Sequence, residues 1–369
     1  MITESPDYLT RQLITYIGNK RGLLKFIGQS IEQVKSRIGK DRLRIFDAFS
    51  GSGVVSRYLK SHAETLISND LEDYAATVAR CYLRNHSEVD WDGLTATAAE
   101  MNNRVAIDRL PPGFIERLYA PRDEQNIVPE DRVFYTRENA RRLDHYRQLI
   151  DEAPADYRDL LLGPLLSSAS IHANTAGVFK GFYKDRTTGI GQFGGSGKNA
   201  INRITGEIKL HIPVLSSFEC ESVVYQADAN ALARQIKGID LVYIDPPYNQ
   251  HPYGSNYFML NLIAGYREPV DVSRVSGIPK QWQRSGYNVR DQSLPLLVDL
   301  LENLDAQFLL ISFNDEGFIS PSQMLTTLQR FGKVDTVEVK HNTFRGSRNL
   351  ARRQIHVVEQ LFLVEKDWA

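Results

Sequence analysis

Residues 43–53 read LRIFDAFSGSG, and residues 65–70 read TLISND. The first stretch opens as a short apolar run rich in β-formers and ends in a Gly/Ser turn. The second is another apolar run and ends in an acidic residue. Strand, tight loop, helix and strand in this order begin a doubly wound α/β sheet. On the N-terminal side, TYIGNKRG (15–22) is a glycine-containing turn. Leu23, Ile27, Ile31, Val34 and Ile38 then fall three or four apart, which predicts an amphipathic helix. On the C-terminal side the α/β rhythm stops near His86. It resumes at SVVYQAD (222–228), DLVYIDPPY (240–248) and AQFLLISFND (306–315), with last strands near VDTVEVK and VEQLFLVEK. The expected fold is therefore α/β, a doubly wound Rossmann-like sheet built from residues 1–86 and 215–369, with residues 87–214 inserted.

The first part of the insert is helical in character. Thr136 is the expected N-cap of RENARRLDHYRQLI, with Glu138 in the first turn. Its second part, about 175–212, is rich in Gly, Asn and Lys/Arg. Within it AINRITGEIKLHIP (200–213) places Ile201, Ile204, Ile208, Leu210 and Ile212 around a Thr205-Gly206 turn signal, which reads as a β-hairpin.

The chain has 369 residues, 42% of them hydrophobic and 24% charged, which is ordinary globular composition and enough to bury a substantial core. A net charge of -1 argues against a non-specific polycation but leaves room for local basic patches. Cys81 and Cys220 lie in no CxxC pair, so neither zinc nor a disulfide framework is indicated, and no metal is expected. The N-terminus is polar and no apolar run approaches the ~18 residues of a membrane span. A soluble cytoplasmic protein is expected, with no membrane partner.

Asp245-Pro246-Pro247-Tyr248 follows the apolar run LVYI directly. A carboxylate at the C-terminal end of a parallel strand stands where open α/β sheets bind ligands. The prolines fix the backbone and leave carbonyls as acceptors. An amine on an aromatic ring is a poor nucleophile because its lone pair is delocalised. The Asp245 carboxylate and the Pro246 carbonyl can hold both amine hydrogens and favour a more pyramidal nitrogen. Tyr248 offers a ring on which a base can stack. The structural alternative is a rigid turn after a strand.

Asp47, Phe49, Gly51 and Gly53 form a loop whose glycines let a ligand approach the backbone, or make a tight βα turn. Asp70, at the end of the next strand, strengthens the nucleoside reading because an acid there can bind ribose hydroxyls. The spacing is not that of a GxGxxG dinucleotide loop. Lys20 can neutralise the carboxylate of an amino-acid ligand and Tyr16 can pack on it; taken alone, the pair also fits a solvated lysine at a helix start. Asp228 suits an adenine amine or a helix N-cap equally.

Together these pieces resemble the Dam-like, α-type DNA adenine-N6 methyltransferases of the DPPY type. TYIGNKRGLL is similar to the family's N-terminal cofactor motif, FDAFSGSG to its FxGxG loop, SND to the ribose-binding acid, YQAD to the adenine-binding acid and DPPY to the catalytic tetrapeptide. ISFND and NTFRGSRN continue the pattern, whereas Ser50 and Ser52 stand where family members often differ. The resemblance implies methyl transfer from S-adenosylmethionine to the N6 amine of adenine in double-stranded DNA, with the base rotated out of the helix. It implies that Tyr16, Lys20, Asp47, Phe49, Gly51, Gly53, Asp70, Asp228 and Asp245 line the cofactor site, and that Asp245, Pro246 and Tyr248 are catalytic. The insert becomes a target-recognition region.

Basic residues gather at 180–210, including Lys198, Arg203 and Lys209, and at 345–353, including Arg345 and Arg348. These residues and Asn202 are the expected DNA contacts, although charge runs are often only solvated faces. Rival readings are methylation of cytosine N4, RNA adenine or a protein glutamine, and an inactive methyltransferase fold that binds DNA. Asp245 favours adenine, because cytosine enzymes commonly begin the tetrapeptide with Ser and glutamine enzymes with Asn. A cognate restriction endonuclease is a candidate partner, and a monomer or weak dimer is expected.

Overall fold

The structure is a computed structural model that describes residues 3–107, 111–195, 197–314, 317–342 and 356–367. Seven strands form one sheet: β1 (Leu43–Asp47), β2 (Ala63–Asp70), β3 (Glu221–Gln226), β4 (Ile239–Ile244), β5 (Ala306–Asn314), β6 (Gly332–Asn342) and β7 (His356–Lys366). Their spatial order is β3-β2-β1-β4-β5-β7-β6. The first five strands in that order are parallel, and β7 runs antiparallel between β5 and β6. The order reverses between β1 and β4, where Asp47 pairs with Tyr243. That switch point opens a crevice at the carboxyl ends of both strands. The expected doubly wound sheet is thus present, with its last two strands where VDTVEVK and VEQLFLVEK lie.

All six residues of β4 are buried, as a central parallel strand covered on both faces requires. The two-residue period sorts side chains between the faces. Phe46, Ile67, Val242, Leu309 and Phe362 pack with the helices Arg290–Asn303 and Pro321–Leu328 on one side. Ile45, Leu66, Leu241, Leu310 and Leu363 pack with the helices Leu24–Ile38 and Val54–Leu59 on the other. The predicted N-terminal amphipathic helix is therefore one cover of the sheet.

Residues of the insert form a further hydrophobic cluster, which also takes in Tyr74 and Val78 and residues 257–264. The helix Ala155–Ile171 lies on the helix Asp73–Tyr82. At their crossing a Cβ on Gly163 would stand 2.6 Å from the Cys81 sulfur, so glycine permits this approach. Thr136 caps the helix Arg137–Glu152, accepting from the amide of Asn139 as expected. Both cysteines are buried free thiols. No helix among the described residues is long and apolar enough to cross a membrane.

The hairpin expected at 200–213 does not form. Ile201–Thr205 is a short helix, and the residues that follow run extended without a partner strand. The amides of Ile208 and Leu210 instead donate to side-chain oxygens, Asn139 Oδ1 and Asn102 Oδ1, both at 3.0 Å. Ile208 and Leu210 are buried in the insert's cluster. Side-chain amides from two helices thus satisfy backbone donors that a second strand would otherwise have to meet.

Candidate active site and cofactor cleft

The crevice at the switch point forms a cavity that is open to solvent. Tyr16, Lys20, Phe49, Gly51, Asp70, Asp228 and Asp245 all line it. The loop after β1 turns tightly: Ser50 N–H donates to the Asn69 carbonyl and Gly53 N–H to the Ser50 carbonyl, each at 2.8 Å. Gly51 and Gly53 have φ of +51° and +73°, the left-handed region that glycine occupies freely. Asp70, at the end of β2, accepts from the amides of Gly51 and Glu72 at 2.7 and 3.0 Å. Burial raises its carboxyl pKa while these amides lower it.

Asp47 lies beneath the loop rather than in the cavity wall. It is fully buried and accepts from Ser56 Oγ at 2.5 Å. Burial pushes its pKa up to about 7 against that hydrogen bond. Asp228 caps the helix Ala229–Ala233, accepting from the Ala231 amide at 2.9 Å, while also facing the cavity. Phe49 meets the Tyr287 ring edge-on at 5.3 Å, and both rings border the cavity near Asp228.

At the other end of the cavity stands Asp245. Lys20 Nζ lies 3.3 Å from Asp245 Oδ1 and 3.3 Å from Glu359 Oε1. The same ammonium sits 5.4 Å from the centre of the Tyr248 ring. Burial pushes the Asp245 pKa up to about 7, with Lys20 opposing and Glu359 assisting. Burial works against the charge on Lys20, but Asp245, Tyr248 and Glu359 together hold its pKa above the ordinary lysine value. Tyr248 packs edge-on against Phe313 at 5.7 Å, and its carbonyl accepts from Phe318 N–H at 2.8 Å, so the chain around the end of β5 holds the last residue of the tetrapeptide. Tyr16 stacks with both Tyr253 and Tyr257, at 5.1 and 4.8 Å, and those two rings stack with each other at 6.1 Å, which joins the N-terminal segment to the chain beyond the tetrapeptide.

The donor set suits a nucleoside cofactor with an amino-acid tail. Asp70, the rings of Phe49 and Tyr287, and the glycine loop with its positive-φ Gly51 all border the cavity. The buried Ser50 Oγ on the cavity wall has no hydrogen-bond partner among the described residues.

Several wall residues carried no signal in the motifs. Glu72 is buried, accepts from Asn261 Nδ2 at 2.5 Å, and is pushed up to about 8 by burial. Tyr253 and Tyr287 reach the cavity from beyond the tetrapeptide. Glu359 was legible only as one acid within the apolar run VVEQLFLV.

The expected DNA contacts are scattered. Lys198 and Asn202 are exposed. Lys209 pairs with Glu207 at 2.5 Å. The Arg203 guanidinium donates to the carbonyls of Ile171, Ala173 and Thr175, across the end of the helix Ala155–Ile171. Arg345 and Arg348 lie outside the described residues.

This sheet, with its strand-end acid, glycine loop and buried tetrapeptide around one cleft, is that of a Rossmann-like methyltransferase. The chain belongs to the D12 class N6 adenine-specific DNA methyltransferases, whose family model matches residues 16–289. It is 30% identical to the Type II methyltransferase M.NlaIII of Neisseria lactamica over 366 residues, covering 95% of this chain and 100% of that one. It is 27% identical to the Type II methyltransferase M.CviAII of Paramecium bursaria Chlorella virus 1, covering 95% and 98%. The modification methylase StsI of Streptococcus sanguinis is 26% identical over 95% of this chain, which spans 52% of that protein. The protein is accordingly a site-specific adenine DNA methyltransferase of an S-adenosylmethionine-dependent family.

Proposed function

We propose that Asp245 and the Pro246 carbonyl receive the two hydrogens of the target adenine's N6 amine, with Tyr248 stacked on the base. The observation that carries this reading is that the Asp245 carboxylate opens into the same cavity as Tyr16, Phe49, Gly51, Asp70 and Asp228. When bound there, S-adenosylmethionine supplies an electrophilic methyl group. Lys20 opposes the burial that raises the Asp245 pKa and so favours the acceptor form of the carboxylate, and Tyr248, packed on Phe313, supplies the stacking ring. Asp70 holds the ribose, Asp228 faces the adenine end, and Gly51 and Gly53 let the cofactor lie against the backbone. Asp47 supports that loop from below.

The same reading divides the chain into a catalytic part, 1–86 and 215–369, and a target-recognition region, 87–214. Lys198 and Asn202 suit contact with DNA by their exposure, and Arg345 and Arg348 by charge. The carbonyls around Arg203 favour a supporting role for that residue. The reading further includes a cytoplasmic role on double-stranded DNA, as a monomer or weak dimer, with a cognate endonuclease as candidate partner.

The test is transfer of labelled methyl from S-adenosylmethionine to unmethylated duplex DNA, followed by digestion. Label in N6-methyladenine is expected. Label only in cytosine or only in RNA contradicts the reading.

A further inference from the structure

We infer that Glu359 is a positioning residue for methyl transfer: from β7 it holds Lys20 against Asp245 and places a second negative charge behind the carboxylate that receives the target amine. The inference rests on the role proposed for Asp245.

β5 separates β4 from β7 in the sheet, so the acids at Asp245 and Glu359 are not neighbours. Lys20 bridges them from a separate segment, at 3.3 Å to each. Side-chain exposure is 3% for Lys20, 17% for Asp245 and 4% for Glu359, so solvent screens this cluster weakly. Among the described residues Glu359 accepts one further side-chain hydrogen bond, from Ser312 Oγ at 3.5 Å, too long to hold a buried carboxylate by itself. A buried acid beside Leu361 and Leu363 on the same strand face is destabilising unless paired. A lysine paired with Asp245 alone would balance charge one to one. Glu359 leaves the cluster one negative charge in excess, which strengthens proton binding at Asp245 and anchors the ammonium from the far side.

Among the described residues the other titratable groups facing Asp245 are Tyr243 on β4, Tyr248 and Tyr253 beyond it, and Asp47 on β1. Burial raises all three phenols, so they stay neutral through neutral pH. Asp47 remains in place in every variant below, so a change between variants reports on Glu359.

The experiment compares the full-length chain with Glu359→Gln and Glu359→Asp. Single-turnover methyl transfer at saturating S-adenosylmethionine and duplex DNA is followed across the acidic to mildly alkaline range. In parallel, ¹³C-carboxyl NMR of labelled aspartates follows Asp245 in the protein alone, its signal identified by loss in Asp245→Asn. With Lys20 still paired to Asp245, Glu359→Gln removes the second charge and should lower both the acid limb of the rate profile and the Asp245 titration midpoint by about half a pH unit or more. Midpoints that rise would mean that Lys20 had been released and would overturn the charge role inferred for Glu359. Glu359→Asp keeps the charge one methylene further away and should move both by less. It also serves if the glutamine variant folds poorly. Slower turnover with both midpoints unmoved in the variants that fold would make Glu359 merely structural and overturn the inference. A moved NMR midpoint with an unmoved rate limb would support the coupling and count against Asp245 as the amine's acceptor.

Discussion

The backbone amide of Gly51 donates to Oδ2 of Asp70 at 2.7 Å, which ties the loop after β1 to the acid that ends β2. The acid that ends β2 and the glycine turn are therefore one unit. On the proposed reading, Asp70→Ala removes the acceptor for the ribose and releases the loop. It should weaken S-adenosylmethionine binding by about 10- to 100-fold, the scale of hydrogen bonds to a charged group. Calorimetric titration measures this directly, and affinity unchanged in a folded variant would remove Asp70 from the cofactor site.

Gly51 is constrained twice. Its φ is +51°, and an added Cβ would stand 2.9 Å from the Tyr16 hydroxyl. Gly51→Ala must shift either the loop or the stacked Tyr16, at a cost of about 1–2 kcal/mol. The variant should melt at a lower temperature and bind the cofactor more weakly. Thermal unfolding with and without S-adenosylmethionine separates the effects, because a native-state ligand raises the melting temperature only as far as it binds.

Glu72 gives the protein a characteristic pH dependence. Burial pushes its pKa up to about 8 from an ordinary value of 4.5. Between those values the folded state holds a proton that the unfolded chain has released. Stability must therefore fall as pH rises through this window, with a limiting slope of about 1.4 kcal/mol per pH unit, and level off above it. Glu72→Gln removes this contribution and can still accept from Asn261. Denaturant unfolding should show the variant gaining on the parent as pH rises, most of all above the raised pKa. Parallel curves for the two proteins would contradict the burial of a protonated Glu72.

Arg203 donates to the Ala173 and Thr175 carbonyls at 2.9 and 3.2 Å and also reaches Ile171. Arg203→Ala should therefore cost about 1–3 kcal/mol of stability and leave the methylated sequence unchanged. Sequencing of modified bases in cells expressing the variant checks the second half. Relaxed site choice would return Arg203 to base reading.

The parts legible in the sequence are those in which a strand and its following turn carry the chemistry together. FDAFSGSG, SND and DPPY each declare a strand end and a functional group within a few residues, and the sheet brings them to one crevice. Contacts between distant elements left no such trace. Glu359 meets Lys20 across 339 positions of chain, and the spacing of neither residue announces it. The run around Ile208 and Leu210 reads as a strand by pattern. Its donors are met by Asn102 and Asn139, however, a solution that hydrophobic periodicity cannot distinguish from pairing. The insert likewise shares its apolar cluster with Tyr74 and Tyr257, which segmentation along the chain does not reveal.

The account turns on the carboxylate of Asp245, and single-turnover methyl transfer to duplex DNA by the parent and Asp245→Ala tests it most directly. Circular dichroism and DNA binding establish that the variant is folded. The parent should form N6-methyladenine, and the variant should lose about two to three orders of magnitude in rate or more, as expected when a group that stabilises the transition state is removed. Near-parental turnover by a folded Asp245→Ala would contradict the account.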